Sequence, residues 1–225
     1  MPLDRDRIAR YARQLLVPGF GEAAQERLLA ARVRAVGAGP AASAALVLLV
    51  QAGVGRLWID DEGAVALSET GGWIQGAAAP GTLRAPAAAA ALQALSANVT
   101  VEVYPAGGKP TAVLVCASPM AYAVAAAEAA RRTGVPHVVM EPDGDGGGRV
   151  SGPPGAPCFS CSRSTTSAAR PPGPGAAAAA ALAASELVHM IALPGSIPGR
   201  RIDVIRGVAM ARPTVRLAGC ACHAG

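Results

Sequence analysis

Apolar positions along this chain follow two rhythms that alternate. From Arg5 to Leu16 the helical spacing puts Ile8, Tyr11 and Leu15 on one face and Arg7, Arg10 and Arg13 on others, and Pro18-Gly19 ends that helix. A second helix is expected over Gly21–Ala31. Val33–Val36 is a short apolar run that suits a buried strand. Ser43–Ala52 is an apolar helix broken by Gly53 and Gly55, and Arg56–Ile59 is a second strand ending at Asp60-Asp61. Glu62–Arg84 carries Gly71-Gly72, Gly76 and Pro80-Gly81 with little periodicity and reads as a loop. Pro86–Ala97 reads as an Ala-rich helix with proline in its first turn. Val99–Tyr104 alternates as a strand does, and Ala112–Cys116 is apolar throughout, as in a central strand. Ser118–Thr133 is a helix with Ser118 as its cap candidate, stopped by Gly134 before a fifth strand, Val135–Met140.

The last third is less regular. Asp143–Pro157 is rich in Gly and Pro, and Ser162–Gly175 is a polar, then Pro/Gly-rich linker. Between them stands Cys158-x-x-Cys161. Ala176–Leu193 is a strong helix former, with Leu182, Glu186, Leu187, Met190 and Ile191 along one face. Arg201–Leu217 contains two short alternating segments, which suit a hairpin.

Strands alternating with helices predict an α/β fold: a Rossmann-like, doubly wound, mainly parallel sheet with N-terminal helices, a C-terminal hairpin and a zinc knuckle. The length suits one domain over 1–225, with helices in 1–31, a nucleotide-binding core in 32–150, and crossover, helix, hairpin and cysteine site in 151–225. The core is organised around Gly37-Ala38-Gly39-Pro40-Ala41-Ala42, a Gly-x-Gly-x-x-Ala turn between strand and helix. Gly37 lets the chain leave the strand sharply. Gly39 lets a phosphate approach the backbone, and N–H groups at the helix start face the anion. Ala42 is small enough for close helix–strand packing. An acid after the second strand, Asp61 or its neighbour Asp60, can accept hydrogen bonds from ribose hydroxyls. Taken alone, this unit suits a dinucleotide as well as ATP.

Composition narrows the partners. The net charge of +5 is spread along the chain, Lys109 is the only lysine, and two Phe, three Tyr and two Trp build no stacking platform. Nucleic acid is therefore not an expected partner. No apolar run reaches the ~18 to 20 residues of a membrane span without Gly, Pro or charge. The charged start (Asp4, Arg5, Asp6, Arg7) is unlike a secretory signal, so a cytoplasmic protein with no membrane partner is expected.

Five cysteines in such a chain point to metal or reactive thiols rather than disulfides. Cys158, Cys161, Cys220 and Cys222 can supply four thiolates for a closed structural Zn²⁺ site. His223 stands three residues after Cys220, so the fourth ligand is Cys222 or His223. Cys116 reads as a small apolar core residue. His137 and His189 read as core or surface residues rather than catalytic ones.

One family pattern runs through nearly the whole chain. Arg10-Tyr11-Ala12-Arg13-Gln14, Gly21, Gln25-Glu26-Arg27-Leu28, the V-G-A-G and A-G-V-G segments, Asp61 and the paired cysteines resemble the ThiF/MoeB proteins, bacterial relatives of ubiquitin-activating enzymes. The resemblance implies a homodimer that binds ATP and Mg²⁺. It implies adenylation of the C-terminal carboxylate of a small ubiquitin-like sulfur carrier protein or peptide. It further implies that Arg13 reaches ATP phosphates from the partner subunit, that Gly37 and Gly39 form the phosphate turn, that Asp61 holds the ribose, and that Arg84 stands in for a lysine. Three places depart. Ser68 is followed by Glu69-Thr70-Gly71-Gly72 where the family has Asn and Arg. Ser118 stands at the Mg²⁺-binding Asp, and Gly63 at a second acid, with Glu62 adjacent. These departures keep a second reading open: a catalytically impaired homologue that binds a partner or peptide. No cysteine lies between Ser162 and Gly175, so a carrier thioester is not expected there.

Overall fold

The computed structural model describes residues 3–70, 74, 77–116, 120–141, 157–162, 174–196, 200–205, 208–213, 218–220 and 222. Five parallel strands form the central sheet: β1 (Arg32–Val36), β2 (Arg56–Asp60), β3 (Thr100–Val103), β4 (Ala112–Val115) and β5 (His137–Val139), in the order β3-β2-β1-β4-β5. Strand order reverses between β1 and β4, and an open α/β sheet binds ligands at the carboxyl ends of its strands at such a point. Gly37 follows β1 and Cys116 follows β4. They are neighbours there, with the Cys116 N–H donating to the Val36 carbonyl at 2.8 Å.

Alternation along each strand separates two apolar layers. Val33, Ala35, Leu57, Ile59, Leu114 and Val138 face the larger one. It is completed by α3 (Ser43–Ala52), α4 (Arg84–Gln93) and α7 (Pro174–Ala192), with α2 (Gly21–Ala30) at its margin. Val36, Val113, Val115 and Val139 face the other layer, under Ala123, Ala126, Ala127 and Ala130 of α5 (Met120–Arg132). Fully buried leucines such as Leu46, Leu49 and Leu187 each contribute roughly 2 kcal/mol by leaving water. The alanines of α7 (Ala179, Ala180, Ala183, Ala184) let it lie close on α3. Gly175–Ala192 is long and apolar enough by composition to cross a membrane, yet half of it is buried in this core. Arg27 of α2 donates to the Ala192 carbonyl at 2.7 Å and so satisfies the carboxyl end of α7.

At the amino end, α1 (Arg5–Leu15) is capped by Asp4, whose side chain accepts from the Arg7 N–H. Its expected apolar face is only partly used: Tyr11 is buried, while Ile8 is 42% exposed. Gln14 fixes the helix by donating to Gln25 at 2.6 Å and to the Ala52 carbonyl at 3.1 Å. The C-terminal hairpin consists of β6 (Arg200–Ile205) and β7 (Val208–Pro213), antiparallel to each other. Arg200 clasps the buried Glu186 of α7, which ties hairpin to core.

Some bounds differ from expectation: α4 ends at Gln93 rather than Ala97, and β5 is shorter than Val135–Met140. α4 starts at Arg84 rather than Pro86, because proline is accepted anywhere in a first turn whose N–H groups have no helical acceptor. A short helix, α6 (Phe159–Ser162), occupies the Cys-x-x-Cys.

Candidate nucleotide site and cysteine cluster

The glycine turn has the backbone that its sequence requires. Gly37 has φ +92°, a conformation other residues avoid, and its N–H donates to the Asp60 carbonyl at 2.8 Å. At Gly39, a side chain built on the backbone would meet nothing within 4 Å among the described residues, so they leave space in front of the turn. Pro40–Ala42 forms a 3-10 turn that runs directly into α3, with Ala42 fully buried beneath it.

Asp61 is bound to this turn. One carboxylate oxygen accepts from the Ala38 N–H at 2.7 Å. The other accepts from the Gly63 N–H and from Arg84 Nη1, both at 2.8 Å. Asp60 points away from it, into an ion pair with Arg34, with the Tyr122 hydroxyl 3.4 Å from its second oxygen. The Arg34 guanidinium lies 4.3 Å from the Tyr104 ring centroid. Alternation along β2 explains the split, since consecutive residues face opposite sides of a sheet. Of the two neighbouring acids, Asp61 is the one held against the glycine turn. Glu62 is exposed.

The loop after Asp61 folds back on itself. Val65 and Gly81–Thr82 exchange backbone hydrogen bonds, and the Arg84 N–H donates to the Gly63 carbonyl at 2.8 Å. This brings the start of α4 beside Asp61. Arg84 donates from Nε and Nη2 to the two oxygens of Glu69, at 3.2 and 3.0 Å, and from Nη2 to the Ala64 carbonyl at 2.8 Å. Burial works against its charge. The hydrogen bonds that Arg84 donates to Glu69 and the charges of Asp61 and Glu69 outweigh it, and the pKa of Arg84 is raised. Glu69 is the residue that sequence reasoning missed: it registered there only as a lost Asn. No local signal marks it, because Arg84 stands fifteen residues on and pairs with it only once the loop has folded.

The other expected residues lie elsewhere. Arg13 is exposed on α1, whose Gln14 is bonded to Ala52 at the carboxyl end of α3. The glycine turn is at the amino end of the same helix, about 15 Å away at 1.5 Å per residue. Arg13 thus stands on a helix fastened to the end of α3 opposite the glycine turn. Ser118 lies outside the described residues, as does His223. Cys116 is buried, and burial pushes its thiol up to about 12. His137 is buried, with Nδ1 3.1 Å from the Val135 carbonyl, while His189 is exposed.

Cys158, Cys161, Cys220 and Cys222 come together. Their four Sγ atoms lie within 4.8 Å of one another, with Cys158–Cys220 and Cys161–Cys222 at 3.4 Å and Cys158–Cys161 at 3.7 Å. A tetrahedron with Zn–S bonds of about 2.3 Å has S···S edges of about 3.8 Å, so the cluster could hold zinc after small shifts. Its thiols are unequal. The Cys158 N–H and hydrogen bonds from the other thiols bring Cys222 down to about 6, and burial pushes Cys158 up to about 12.

A profile of the ThiF family matches residues 11–222. The chain belongs to the ThiF family. Among its relatives, mouse "Adenylyltransferase and sulfurtransferase MOCS3" is 42% identical over 104 residues, covering 46% of this chain and 23% of MOCS3. "Protein HesA, heterocyst" of Trichormus variabilis is 35% identical over 102 residues, 42% of this chain and 36% of HesA. The chain thus matches about a quarter to a third of the length of these curated relatives. Among solved structures, E. coli MccB with SeMet MccA superposes with a TM-score of 0.79 at 17% identity, covering 96% of this chain and 74% of MccB. SeMet PaaA gives 0.70 at 18% identity, covering 96% and 76%. At those identities the superpositions speak for the Rossmann-type fold, and the ThiF-family assignment rests on the sequence match.

Proposed function

We propose that this ThiF-family chain is an ATP-dependent adenylyltransferase. Its substrate is the C-terminal carboxylate of a small ubiquitin-like sulfur carrier protein or of a peptide. The observation that carries this reading is the bond from the Ala38 N–H to Asp61, which joins the phosphate turn to the ribose acid at the strand-order reversal. In the proposed reaction a carboxylate oxygen attacks the α-phosphorus of ATP. The bond to the bridging oxygen breaks, pyrophosphate leaves, and an acyl-adenylate remains. Gly37 and Gly39 supply the approach to the phosphates, Asp61 the ribose contact and Arg84 a positive charge.

Arg13 is proposed to serve the site of a second copy in a cytoplasmic homodimer. Its distance from its own glycine turn supports that. Mg²⁺ would accompany ATP, with Ser118 at the position expected to face it. A zinc ion on Cys158, Cys161, Cys220 and Cys222 would take no part in the chemistry and would join two segments remote in sequence.

The engagement of Arg84 by two carboxylates favours the second reading, a partner- or peptide-binding homologue with impaired catalysis. Exchange of labelled pyrophosphate into ATP, run with candidate carriers and C-terminal peptides, separates the two. Carrier-dependent exchange is expected for the enzyme. No exchange and no ATP binding, with the carrier still bound, would leave the scaffold.

A further inference from the structure

Three positions far apart in sequence, Gly63, Glu69 and Arg84, meet in one cluster beside the glycine turn. Four of the five N–H groups of the Arg84 guanidinium are used: one on Asp61, two on Glu69 and one on the Ala64 carbonyl. The three charged side chains are nearly enclosed, at 17%, 10% and 14% exposure for Arg84, Asp61 and Glu69. Gly63 is what makes room: a Cβ there would overlap Arg84 Nη1 and lie 3.0 Å from Asp61 Oδ1. An arginine can span both carboxylates with its planar fork, where a lysine ammonium would reach one. Glycine at 63, acid at 69 and arginine at 84 therefore fit one another as a set.

The cluster also has a direction. Asp61 touches the Ala38 N–H with one oxygen and Arg84 with the other, so the guanidinium is a single carboxylate away from the phosphate turn. In this arrangement two carboxylates and one guanidinium leave one net negative charge next to a surface that must accept an anion.

We propose that Glu69 and Arg84 form a clasp over the phosphate side of the nucleotide site, and that a polyphosphate is bound only when Arg84 leaves Glu69. Glu69 is thus a positioning residue: it acts through Arg84 and sets how strongly the site discriminates against phosphate. The proposal deepens the nucleotide-site reading and rests on it for the identity of the anion.

The test uses the full chain and two readouts. The first is modification of Arg84 by phenylglyoxal, followed by peptide mass. In Glu69→Gln, which keeps shape and removes charge, Arg84 reacts at least about tenfold faster than in the unaltered chain, as expected for loss of charge-assisted hydrogen bonds. The second is affinity for ATP, inorganic tripolyphosphate and adenosine. Glu69→Gln binds ATP and tripolyphosphate about tenfold more tightly and adenosine unchanged. Arg84→Lys, which keeps the charge but cannot span both acids, moves the polyphosphates the same way. Equal Arg84 reactivity with and without Glu69 overturns the clasp, as does a gain for adenosine equal to that for ATP. Faster Arg84 modification in Glu69→Gln with tighter binding of tripolyphosphate but none of ATP upholds the clasp and overturns the nucleotide reading instead.

Discussion

The carboxylate of Asp61 accepts a 2.7 Å hydrogen bond from the backbone N–H of Ala38, so the acid after β2 and the turn after β1 are one unit. The same carboxylate takes the Gly63 N–H and Arg84. Asp61 is therefore a structural anchor as well as a ribose ligand candidate. Asp61→Asn must aim an amide NH₂ at one of these donors and leave it unsatisfied. The expected loss is about 1 to 3 kcal/mol of stability, read as a lower midpoint in urea with unchanged slope. ATP affinity, where measurable, falls as well. An Asp61→Asn chain as stable as the original would mean that the turn does not depend on this acid.

The cysteines separate into two classes. Cys116 is buried with its thiol near 12, so at pH 8 almost none is thiolate and alkylation of the folded chain is expected to spare it. The cluster should carry about one zinc ion per chain when purified without chelator, and that ion shields its thiols. Chelation should then expose Cys158, Cys161, Cys220 and Cys222 to alkylation under native conditions, with Cys116 following only in denaturant. Cys220→Ser should lower the melting temperature and abolish the zinc. Labelling of Cys116 ahead of the cluster would contradict both assignments.

Stability should fall on mild acidification, and His137 supplies the reason. Burial holds its pKa below the ordinary 6.5, against the opposing pull of the Val135 carbonyl and Glu128. The unfolded chain takes up a proton from about pH 6.5 downward that the folded chain resists. Stability is thus complete above that pH and declines as pH drops toward the folded value, by up to about 1.4 kcal/mol per unit. His137→Leu should flatten the difference between pH 7 and 5. Glu128 acts in a lower window: its hydrogen bond with Arg131 holds its pKa below 4.5, so its contribution disappears only as pH falls through that depressed value. Denaturation curves for both chains over pH 4 to 8 check the sign and the window for His137.

The parts legible in the sequence were those that depend on neighbours in the chain. Val33–Val36 and Ala112–Cys116 could be read as buried strands, because each is a short apolar run bounded by turn signals. The glycine turn and the cysteine spacings are local for the same reason. The illegible parts depend on register between distant segments. Arg34 and Asp60 sit in strands whose apolar content masks them. They pair because β1 and β2 align Val36 with Asp60. Glu69 and Arg84 pair because Val65 and Thr82 hydrogen-bond across a loop with no periodicity to reveal it. Nothing in the residues around Glu69 distinguishes a lost amide from a gained acid.

Arg13 offers a test of how many chains build one site. It is exposed on α1, and α1 is fastened through Gln14 to the far end of α3 from the glycine turn. If it serves a second copy, Arg13→Ala and Asp61→Asn damage different halves of one composite site. Each variant alone should bind ATP weakly. Chains mixed by co-expression should assemble about half heterodimers, each with one intact site and one doubly altered, restoring about a quarter of the sites. Tight ATP binding to that fraction, absent from either parent, is the expected signal. Loss in both parents with no recovery on mixing would place Arg13 in the site of its own chain, and undiminished ATP binding by Arg13→Ala would place it outside the nucleotide site altogether.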